Sequence, residues 1–170
     1  MDNHIINAYR PGTLEVYYGP MKSGKSAKLI SRVEHLDFGQ SKIKYLAFKP
    51  EFDTRDIGQI VTRHDGGKSI PAISVPDNSI DAALDYIDNS IKVVVIDEAQ
   101  FFSKGIIGFV EALLDMNKNV IVGGLNLDYR GEPFGQMSYL INHADIVVPL
   151  HAKCDYCIKN SNSFLLPKIT

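Results

Sequence analysis

Between an apolar stretch and a helical pattern, the sequence reads Gly19-Pro20-Met21-Lys22-Ser23-Gly24-Lys25-Ser26. These residues match the pattern G-x-x-x-x-G-K-[ST], whose glycines allow backbone N–H groups to close around an anion at a helix N-terminus. The pattern predicts that the whole stretch, here called the phosphate loop, binds the phosphates of a nucleotide. Within it, Lys25 is expected to reach the β- and γ-phosphates, and Ser26 is expected to bind Mg²⁺.

The flanks of the phosphate loop support this interpretation. Residues 13–18 alternate into an apolar and aromatic run at positions 14, 16, 17 and 18 and are followed by Gly19 and Pro20, which predicts a strand followed by a turn. From Gly24, apolar residues recur at helical spacing as far as Leu36, and Gly39 is a predicted helix end. The order strand, glycine loop, helix is the one that phosphate binding requires, so a chance match in a glycine-rich turn is the less favoured alternative.

The remainder of the chain repeats this alternation of strands and helices. Four consecutive β-branched residues at 93–96 predict a strand buried on both faces, as central strands of parallel sheets are. Residues 51–68 are polar and predict a loop, and Asp77 or Ser79 is a candidate cap for a helix over 81–91. The other predicted elements are strands at 43–49, 120–122 and 146–150 and a helix at 106–116. The order predicts an α/β fold of the P-loop NTPase class with a doubly wound, mainly parallel sheet.

Length and composition indicate one globular domain. The 170 residues are 45% hydrophobic and 22% charged, which is ordinary for a packed domain. We expect a nucleotide-binding domain over residues 1–152 and a short separate segment over 153–170, where the alternation stops. Eighteen Lys and Arg against twenty Asp and Glu give a net charge of -2, which argues against a nucleic-acid partner. With two cysteines, no leader pattern and no bilayer-length apolar run, we expect a cytoplasmic protein without a membrane partner.

Two acidic residues, Asp97 and Glu98, follow the buried strand. A phosphate loop needs a second acid for hydrated Mg²⁺ at the carboxyl end of a neighbouring parallel strand, which is where Asp97 is predicted. Asp97 and Ser26 are therefore the predicted magnesium ligands. Glu98 is then placed to accept a proton from the group that attacks the γ-phosphate, either a water or a hydroxyl of a second substrate. A solvated strand end is the alternative for the pair.

Four blocks of the sequence, in this order and spacing, resemble the thymidine kinases of the cellular and bacterial type. The first is the phosphate loop, the second is KP at 49–50 with DTR at 53–55, and the third is DEAQFF at 97–102. The fourth, GLNLDYRGEPFG at 124–135, is the most specific, because neither a helicase nor a generic ATPase requires it. The resemblance covers residues 13–157 and implies transfer of the γ-phosphate of ATP to the 5′-hydroxyl of thymidine or deoxyuridine. It also implies a homotetramer that serves nucleotide salvage for DNA synthesis.

The resemblance implies roles for the residues around the reacting groups. Glu98 becomes the general base on the nucleoside 5′-hydroxyl, and Lys25 and Arg55 act at the phosphates. Phosphoryl transfer depends on positioning, metal charge and a base aimed at the attacking oxygen, so these roles are physically coherent. Considered alone, Arg55 is more often a solvated surface charge. Asn126 stands where the family more often carries aspartate, and this difference keeps the side-chain size.

Aromatic side chains supply most of the nucleoside site that the resemblance implies. Phe101 would face the thymine ring, and Tyr129 and Phe134 would line the base pocket. Gln100 belongs to the same nucleoside-binding set. Composition alone favours core packing for Phe101, Phe102 and Phe134. The resemblance reverses that preference for Phe101, and Tyr129 stands where phenylalanine is common in the family.

Cys154 and Cys157 form a C-x-x-C pair, which is half of a four-thiolate zinc site. The resembling family carries a second pair further along, beyond a loop that covers the nucleoside, and this sequence, which ends at Thr170, contains neither. We therefore expect only the start of a zinc-ribbon-like segment and no lid, in a chain that is either part of a longer protein or truly short. Redox thiols and plain tail cysteines are the alternatives to zinc ligands.

Three functions fit these patterns. The favoured one is a thymidine kinase that uses ATP with Mg²⁺. The second is a nucleic-acid-stimulated ATPase, because residues 97–100 resemble the DEAQ box of helicases, in which the glutamate activates water. The third is a remnant that binds nucleotide without turnover, because a site without a lid admits water and loses positioning of the base.

Overall fold

The computed structural model describes residues 11–36, 43–53, 56–62 and 67–152. The strands in these ranges are β1 (Leu14–Tyr18), β2 (Tyr45–Pro50), β3 (Gln59–Val61), β4 (Ser69–Pro71), β5 (Ile73–Val75), β6 (Val93–Ile96), β7 (Asn119–Gly124) and β8 (Ile146–Pro149). The α-helices are α1 (Lys25–Leu36), α2 (Gly105–Asp115) and α3 (Met137–His143), and 3₁₀-helices cover Ile80–Tyr86 and Ala99–Phe101. None of the helices in the described ranges has the length and apolar character needed to cross a membrane.

Six of the described strands form one sheet in the order β5-β2-β6-β7-β1-β8, and every neighbouring pair is parallel. This confirms the predicted α/β fold with a mainly parallel sheet. Tyr18 of β1 lies beside Gly124 of β7, and Ile96 of β6 lies beside Val122 of β7. The carboxyl ends of these three strands therefore meet at one edge of the sheet, where α/β proteins bind their ligands.

Side chains alternate between the two faces of the sheet, and helices cover both faces. On β6, Val94 and Ile96 pack into a core with α2 and α3, while Val93 and Val95 pack into a second core with α1. All four side chains are buried, which confirms the predicted central strand and makes the sheet doubly wound. Burying one such side chain contributes about 1.5–3 kcal/mol, so this strand stabilises both layers.

The segment predicted to be a loop contains a strand. β3 pairs with β4 in an antiparallel hairpin in which Ile60 lies beside Ile70, and both side chains are buried. A three-residue strand with one buried apolar side chain is too short to show the alternation by which strands are predicted. The sequence pattern misses β5, at the edge of the main sheet, for the same reason.

The helix predicted over residues 81–91 is a shorter 3₁₀-helix at Ile80–Tyr86. Asp88 explains why the helix does not continue. Its Oδ1 accepts hydrogen bonds from the backbone N–H groups of Ser90 and Ile91, at 2.7 and 3.2 Å. A side chain that captures nearby backbone donors in this way competes with helical hydrogen bonding.

Other helix boundaries agree with the sequence pattern to different degrees. α2 begins and ends within one residue of its prediction. Ser79 occupies the N-cap position of the 3₁₀-helix at Ile80–Tyr86, but its side chain makes no capping hydrogen bond to that helix. α3 has seven residues and is not predicted, because so short a helix shows little periodicity. Gly39, the predicted end of α1, lies outside the described residues.

An ion pair with a buried carboxylate joins β1 to α1. The Glu15 carboxylate accepts a 2.7 Å hydrogen bond from Arg32 Nη2, and its two oxygens share Arg32 Nε at 2.9 and 3.2 Å. Tyr17 donates its hydroxyl to Glu15 Oε2 at 3.2 Å, and burial together with the Glu15 carboxylate raises the pKa of Tyr17 to about 12. The pair therefore fixes the helix that begins at the phosphate loop against the strand that precedes the loop.

We expect Arg32→Met to lower the free energy of unfolding by about 3 kcal/mol, because it leaves a buried carboxylate without its partner. Lys68→Met is the matched control, since it breaks the exposed 2.9 Å pair between Lys68 and Glu34, and it is expected to cost no more than about 1 kcal/mol. Urea unfolding followed by circular dichroism measures both variants. Equal losses in the two would contradict the role given to the pair of Glu15 and Arg32.

Candidate active site

The candidate active site lies where the carboxyl ends of β1, β6 and β7 meet. The phosphate loop follows β1, Asp97 and Glu98 follow β6, and the loop of residues 125–135 follows β7. β2 ends beside β6, because Phe48 pairs with Ile96. The parallel sheet thus brings together blocks that lie far apart in the sequence.

In the phosphate loop, the Lys25 side chain hydrogen-bonds to backbone carbonyl oxygens of the loop itself. Lys25 is buried, and its Nζ donates to the carbonyl oxygens of Gly19 and Pro20 at 3.0 and 2.8 Å. Gly24 has a φ of 84°, in the left-handed region that favours glycine. The hydroxyl of Ser23 is buried and has no hydrogen-bond partner among the described residues. A buried polar group without a partner costs about 1–3 kcal/mol, so the loop fits a ligand that brings hydrogen-bonding oxygens, as a phosphate does.

Lys25 lies in the field of both acidic residues. Burial lowers the pKa of Lys25, and the carboxylates of Glu98 and Asp97 oppose that shift. Burial disfavours an ammonium charge, whereas nearby negative charges favour it. The acidic residues at the end of β6 therefore help to keep the lysine of the phosphate loop charged.

Ser26 and Asp97, the two predicted magnesium ligands, lie in contact. Ser26 Oγ donates to Asp97 Oδ2 at 2.9 Å, and Asp97 Oδ1 accepts a hydrogen bond from the Glu98 N–H at 2.9 Å. Burial, and then the neighbouring Glu98 carboxylate, raise the pKa of Asp97 to about 6. A hydroxyl and a carboxylate are hard oxygen donors of the kind that Mg²⁺ takes, so the pair fits the ion.

We expect Asp97→Asn to stabilise the nucleotide-free protein at pH 7 by about 1–3 kcal/mol, because the substitution removes the buried carboxylate charge at this position. The folded-state pKa of Asp97, about 6, lies above its usual 3.8, so the stability that its protonated form contributes is complete below pH 3.8 and is lost as the pH rises through 6. Urea unfolding between pH 4 and 8 should show this fall in the wild-type protein and a smaller one in Asp97→Asn. A fall of the same size in both proteins would contradict the expectation.

Glu98 adopts an unusual backbone conformation at the end of β6. Its φ and ψ are 51° and 40°, in the left-handed region that residues other than glycine seldom adopt. The side chain is half-buried, and its Oε2 accepts a 2.6 Å hydrogen bond from Gln100 Nε2. Strained backbone of this kind is concentrated at functional sites, where surrounding contacts hold it in place. The geometry therefore presents a held carboxylate next to the candidate magnesium ligand Asp97.

Phe101 and Phe134, two of the predicted nucleoside-binding residues, lie in contact. Their ring centroids are 5.5 Å apart, and the rings meet edge to face at 83°. Phe52 extends the pair, because its ring lies 5.8 Å from that of Phe101 while the residue is 71% exposed. These three rings form an apolar wall open to solvent, here called the aromatic wall. Phe102 instead packs in the core with α2, as composition alone favours.

Tyr129 is presented to solvent rather than packed into the aromatic wall. The residue is 87% exposed, and its hydroxyl accepts a 2.8 Å hydrogen bond from Arg130 Nε. The turn that carries it is closed by Asp128, whose Oδ1 accepts hydrogen bonds from the N–H groups of Arg130 and Glu132 at 2.8 and 3.0 Å. The structure thus shows Tyr129 exposed on the loop that follows β7, and its implied place in the base pocket stays a prediction.

Lys49 is a buried lysine beside the site to which the sequence patterns assign no role. Its Nζ donates to the carbonyl oxygen of Asp56 at 2.7 Å and to Asp53 Oδ2 at 3.2 Å. These contacts close the turn that carries Phe52, which the sequence patterns also leave without a role. The spacing of Lys49 and Asp53 in the second sequence block is the signal by which this turn could have been found.

Arg55, Cys154 and Cys157 lie outside the described residues, so their implied roles stay predictions. Within the part of the chain that the structure describes, no group of three or more His, Cys, Asp and Glu side chains could hold a metal ion. A magnesium ion at Ser26 and Asp97 does not require such a group, since Mg²⁺ in phosphate-transfer sites is held by one or two protein ligands together with phosphate oxygens and water.

Comparison with known families and proteins identifies similar chains. A family model described as thymidine kinase matches residues 12–167. The thymidine kinase of Ureaplasma urealyticum serovar 10 is 40% identical over 149 residues, which cover 86% of this chain and 65% of that protein. The thymidine kinase of Ureaplasma parvum serovar 3 is 38% identical over 159 residues, which cover 89% of this chain and 69% of that protein. The chain thus spans about two thirds of the length of these curated relatives.

Solved structures share the fold at low identity. Domain III of the Thermotoga maritima replication initiation protein DnaA matches with a TM-score of 0.51 and 14% identity, covering 85% of this chain and 58% of that chain. The Legionella pneumophila ATPase DotB matches with a TM-score of 0.50 and 15% identity, covering 84% of this chain and 37% of that chain. At such low identity the likeness supports the fold alone and carries no assignment of activity.

Proposed function

This chain belongs to the thymidine kinase family, and we propose that it transfers the γ-phosphate of ATP to the 5′-hydroxyl of thymidine or deoxyuridine. The position of Glu98 is the observation that carries the proposal. The preceding residue, Asp97, contacts Ser26 of the phosphate loop, and Phe101, three residues on, contacts Phe134. A carboxylate in this position can take a proton from the hydroxyl of a phosphate-accepting substrate that is held between a bound phosphate and the aromatic wall.

In this proposal the phosphate loop binds the phosphates of ATP. Its backbone N–H groups and the Lys25 ammonium hold the β- and γ-phosphates, and Lys25 gives up its hydrogen bonds to the Gly19 and Pro20 carbonyls. Ser26 and Asp97 would hold Mg²⁺, which when bound supplies positive charge that neutralises the charge developing on the phosphates. Arg55 acts at the same phosphates, as the family resemblance implies.

The transfer is an in-line displacement at the γ-phosphorus. The nucleoside 5′-oxygen forms a bond to phosphorus while the bond to the oxygen that bridges the β- and γ-phosphates breaks. ADP leaves with that electron pair, and the hydroxyl proton passes to the Glu98 carboxylate. Positioning and charge contribute most of the rate in such reactions, so the protein needs no covalent intermediate.

The aromatic wall receives the nucleoside base in this proposal. Phe101 and Phe134 offer flat apolar surfaces, and the exposed Phe52 adds a third at the outer edge. Aromatic surfaces of this kind bind a planar base by stacking and edge contacts. We propose Tyr129, on the same loop as Phe134, as an outer contact of the same pocket.

A nucleoside panel tests the proposal. ADP formation by the full chain is measured with Mg-ATP alone and with thymidine, deoxyuridine, deoxycytidine or deoxyadenosine added separately. We expect turnover to require thymidine or deoxyuridine. ADP formation that is the same across the panel, or that rises only with single-stranded DNA, would contradict the proposal and favour an ATPase.

Further properties of this chain are proposed on the sequence patterns and the family resemblance. They are a homotetrameric state, a cytoplasmic location, and zinc binding by Cys154 and Cys157. Because structural zinc takes four ligands, zinc binding by this cysteine pair requires two more. Light scattering and metal analysis of the purified full chain measure the oligomeric state and the zinc content.

A further inference from the structure

Gln100 is buried where the acidic residues meet the loop that follows β7. The residue is 2% exposed, and both ends of its side-chain amide are engaged. Nε2 donates to Glu98 Oε2 at 2.6 Å, and Oε1 accepts a hydrogen bond from the backbone N–H of Leu125 at 2.9 Å. The two partners fix the orientation of the amide, because the opposite orientation would set oxygen against oxygen and N–H against N–H.

Two glycines of the fourth sequence block make room for Gln100. A Cβ on Gly124 would lie 2.5 Å from Met137 Sδ and 2.9 Å from Gln100 Oε1, and a Cβ on Gly135 would collide with the carbonyl oxygen of Gln100. Gly135 also has a φ of 55°, in the left-handed region. The close approach of Gln100 therefore accounts for glycine at position 135, and Met137 together with Gln100 accounts for glycine at position 124.

We propose that Gln100 is a positioning residue that ties the general base to the nucleoside loop. The inference rests on the proposed function of Glu98. One end of the Gln100 amide holds the Glu98 carboxylate, and the other end anchors Leu125, the first residue of the loop that carries Phe134. A nucleoside that packs on Phe134 thus orders the loop to which the general base Glu98 is tied. The Glu98 carboxylate is therefore aligned when the nucleoside hydroxyl is in place.

This role differs from the nucleoside contact that the family resemblance implies for Gln100. The amide oxygen can accept, and the amide nitrogen can donate, a second hydrogen bond besides those to Leu125 and Glu98. The residue is only 2% exposed, however, so little of its side chain is open to a nucleoside, and turning the amide toward one would break the bond to Glu98 or to Leu125. The geometry therefore assigns Gln100 to the support of Glu98.

Gln100→Met and Gln100→Glu test the inference together. Methionine keeps the length and loses both hydrogen bonds, whereas glutamate keeps the shape and the acceptor for Leu125 but sets an oxygen beside Glu98. In both variants we expect kcat to fall about 10- to 100-fold while KM for thymidine stays within about threefold, because a misaligned base slows the chemical step. A raised KM for thymidine with kcat unchanged would show a nucleoside contact and would overturn the proposal.

A double variant separates positioning from a general structural role. In a Glu98→Gln background, Gln100→Met is expected to lower the residual kcat by less than about twofold, because the general base that Gln100 positions, the Glu98 carboxylate, is already absent. A further loss of about tenfold would mean that Gln100 acts on the whole site rather than through Glu98, and would overturn the proposal. Melting temperatures establish that each variant is folded.

Amide exchange keeps this test separate from the test of the proposed function. A wild-type protein that turns over no nucleoside would refute the kinase proposal, and exchange of the Leu125 N–H then decides by itself whether Gln100 anchors the nucleoside loop. By NMR we expect this amide to exchange at least about 10-fold faster in Gln100→Met than in the wild type and at an unchanged rate in Gln100→Glu. Equal rates in all three proteins would overturn the link between Gln100 and the nucleoside loop.

Discussion

Glu98→Gln is expected to reduce kcat for thymidine phosphorylation by about 10²- to 10⁴-fold. Glutamine keeps the size of the side chain and can accept the hydrogen bond from Gln100 through its amide oxygen, but it cannot take up the hydroxyl proton. The loss therefore falls on the chemical step. Initial rates at saturating ATP and thymidine measure kcat, and calorimetry measures the Kd for Mg-ATP, which is expected to stay within about threefold of wild type.

Glu111→Gln is the matched control for this variant. Glu111 is an exposed glutamate on α2 that accepts a hydrogen bond from the Tyr139 hydroxyl. Replacing Glu111 is expected to leave kcat within about twofold of wild type, since this side chain contacts no residue of the candidate active site. If Glu98→Gln keeps more than about a tenth of the wild-type kcat, another group is the base and the assignment of Glu98 is wrong.

Lys25→Met is expected to lower kcat/KM for ATP by about 10²- to 10³-fold. In the nucleotide-free protein the Lys25 ammonium is held by the Gly19 and Pro20 carbonyls, so methionine removes the positive charge that the phosphates require while filling similar space. Steady-state kinetics and calorimetry with Mg-ATP measure the effect. Lys25→Arg is expected to restore little, because a longer planar guanidinium does not replace a compact ammonium inside a closed loop.

Lys28→Met controls for the loss of a lysine on the same helix. Lys28 lies less than one turn beyond Lys25 on α1 and is exposed. We expect its replacement to change kcat/KM for ATP by less than about twofold. An unchanged Kd for Mg-ATP in Lys25→Met would contradict the assignment of residues 19–26 as the phosphate loop.

The parts of the site that depend on local patterns could be predicted from the sequence. Glycine and lysine spacing predicts the phosphate loop, and four consecutive β-branched residues predict the strand that precedes Asp97. The contact between Ser26 and Asp97 then follows, because parallel strands end at a common edge of the sheet. Such features can be predicted because they depend only on the spacing of residues along the sequence and on the handedness of the connections between parallel strands.

Other features depend on contacts between segments, which no local pattern encodes. The hairpin of β3 and β4 has one buried side chain on each strand, Ile60 and Ile70, and so little periodicity to detect. The left-handed backbone of Glu98 and the engagement of Gln100 with Leu125 arise only once β6 and β7 are adjacent. The family resemblance implies a pocket role for Tyr129, but the exposure of that residue depends on the turn around it.

Transfer of a radioactive label tests the proposed activity most directly. The full chain is incubated with Mg²⁺, thymidine and ATP labelled at the γ-phosphorus, and the products are separated by thin-layer chromatography. We predict labelled thymidine monophosphate in an amount equal to the ADP formed, and a rate at least about 100-fold lower in Glu98→Gln. Label released as inorganic phosphate, at a rate that thymidine does not change, would contradict the assignment of this chain as a thymidine kinase.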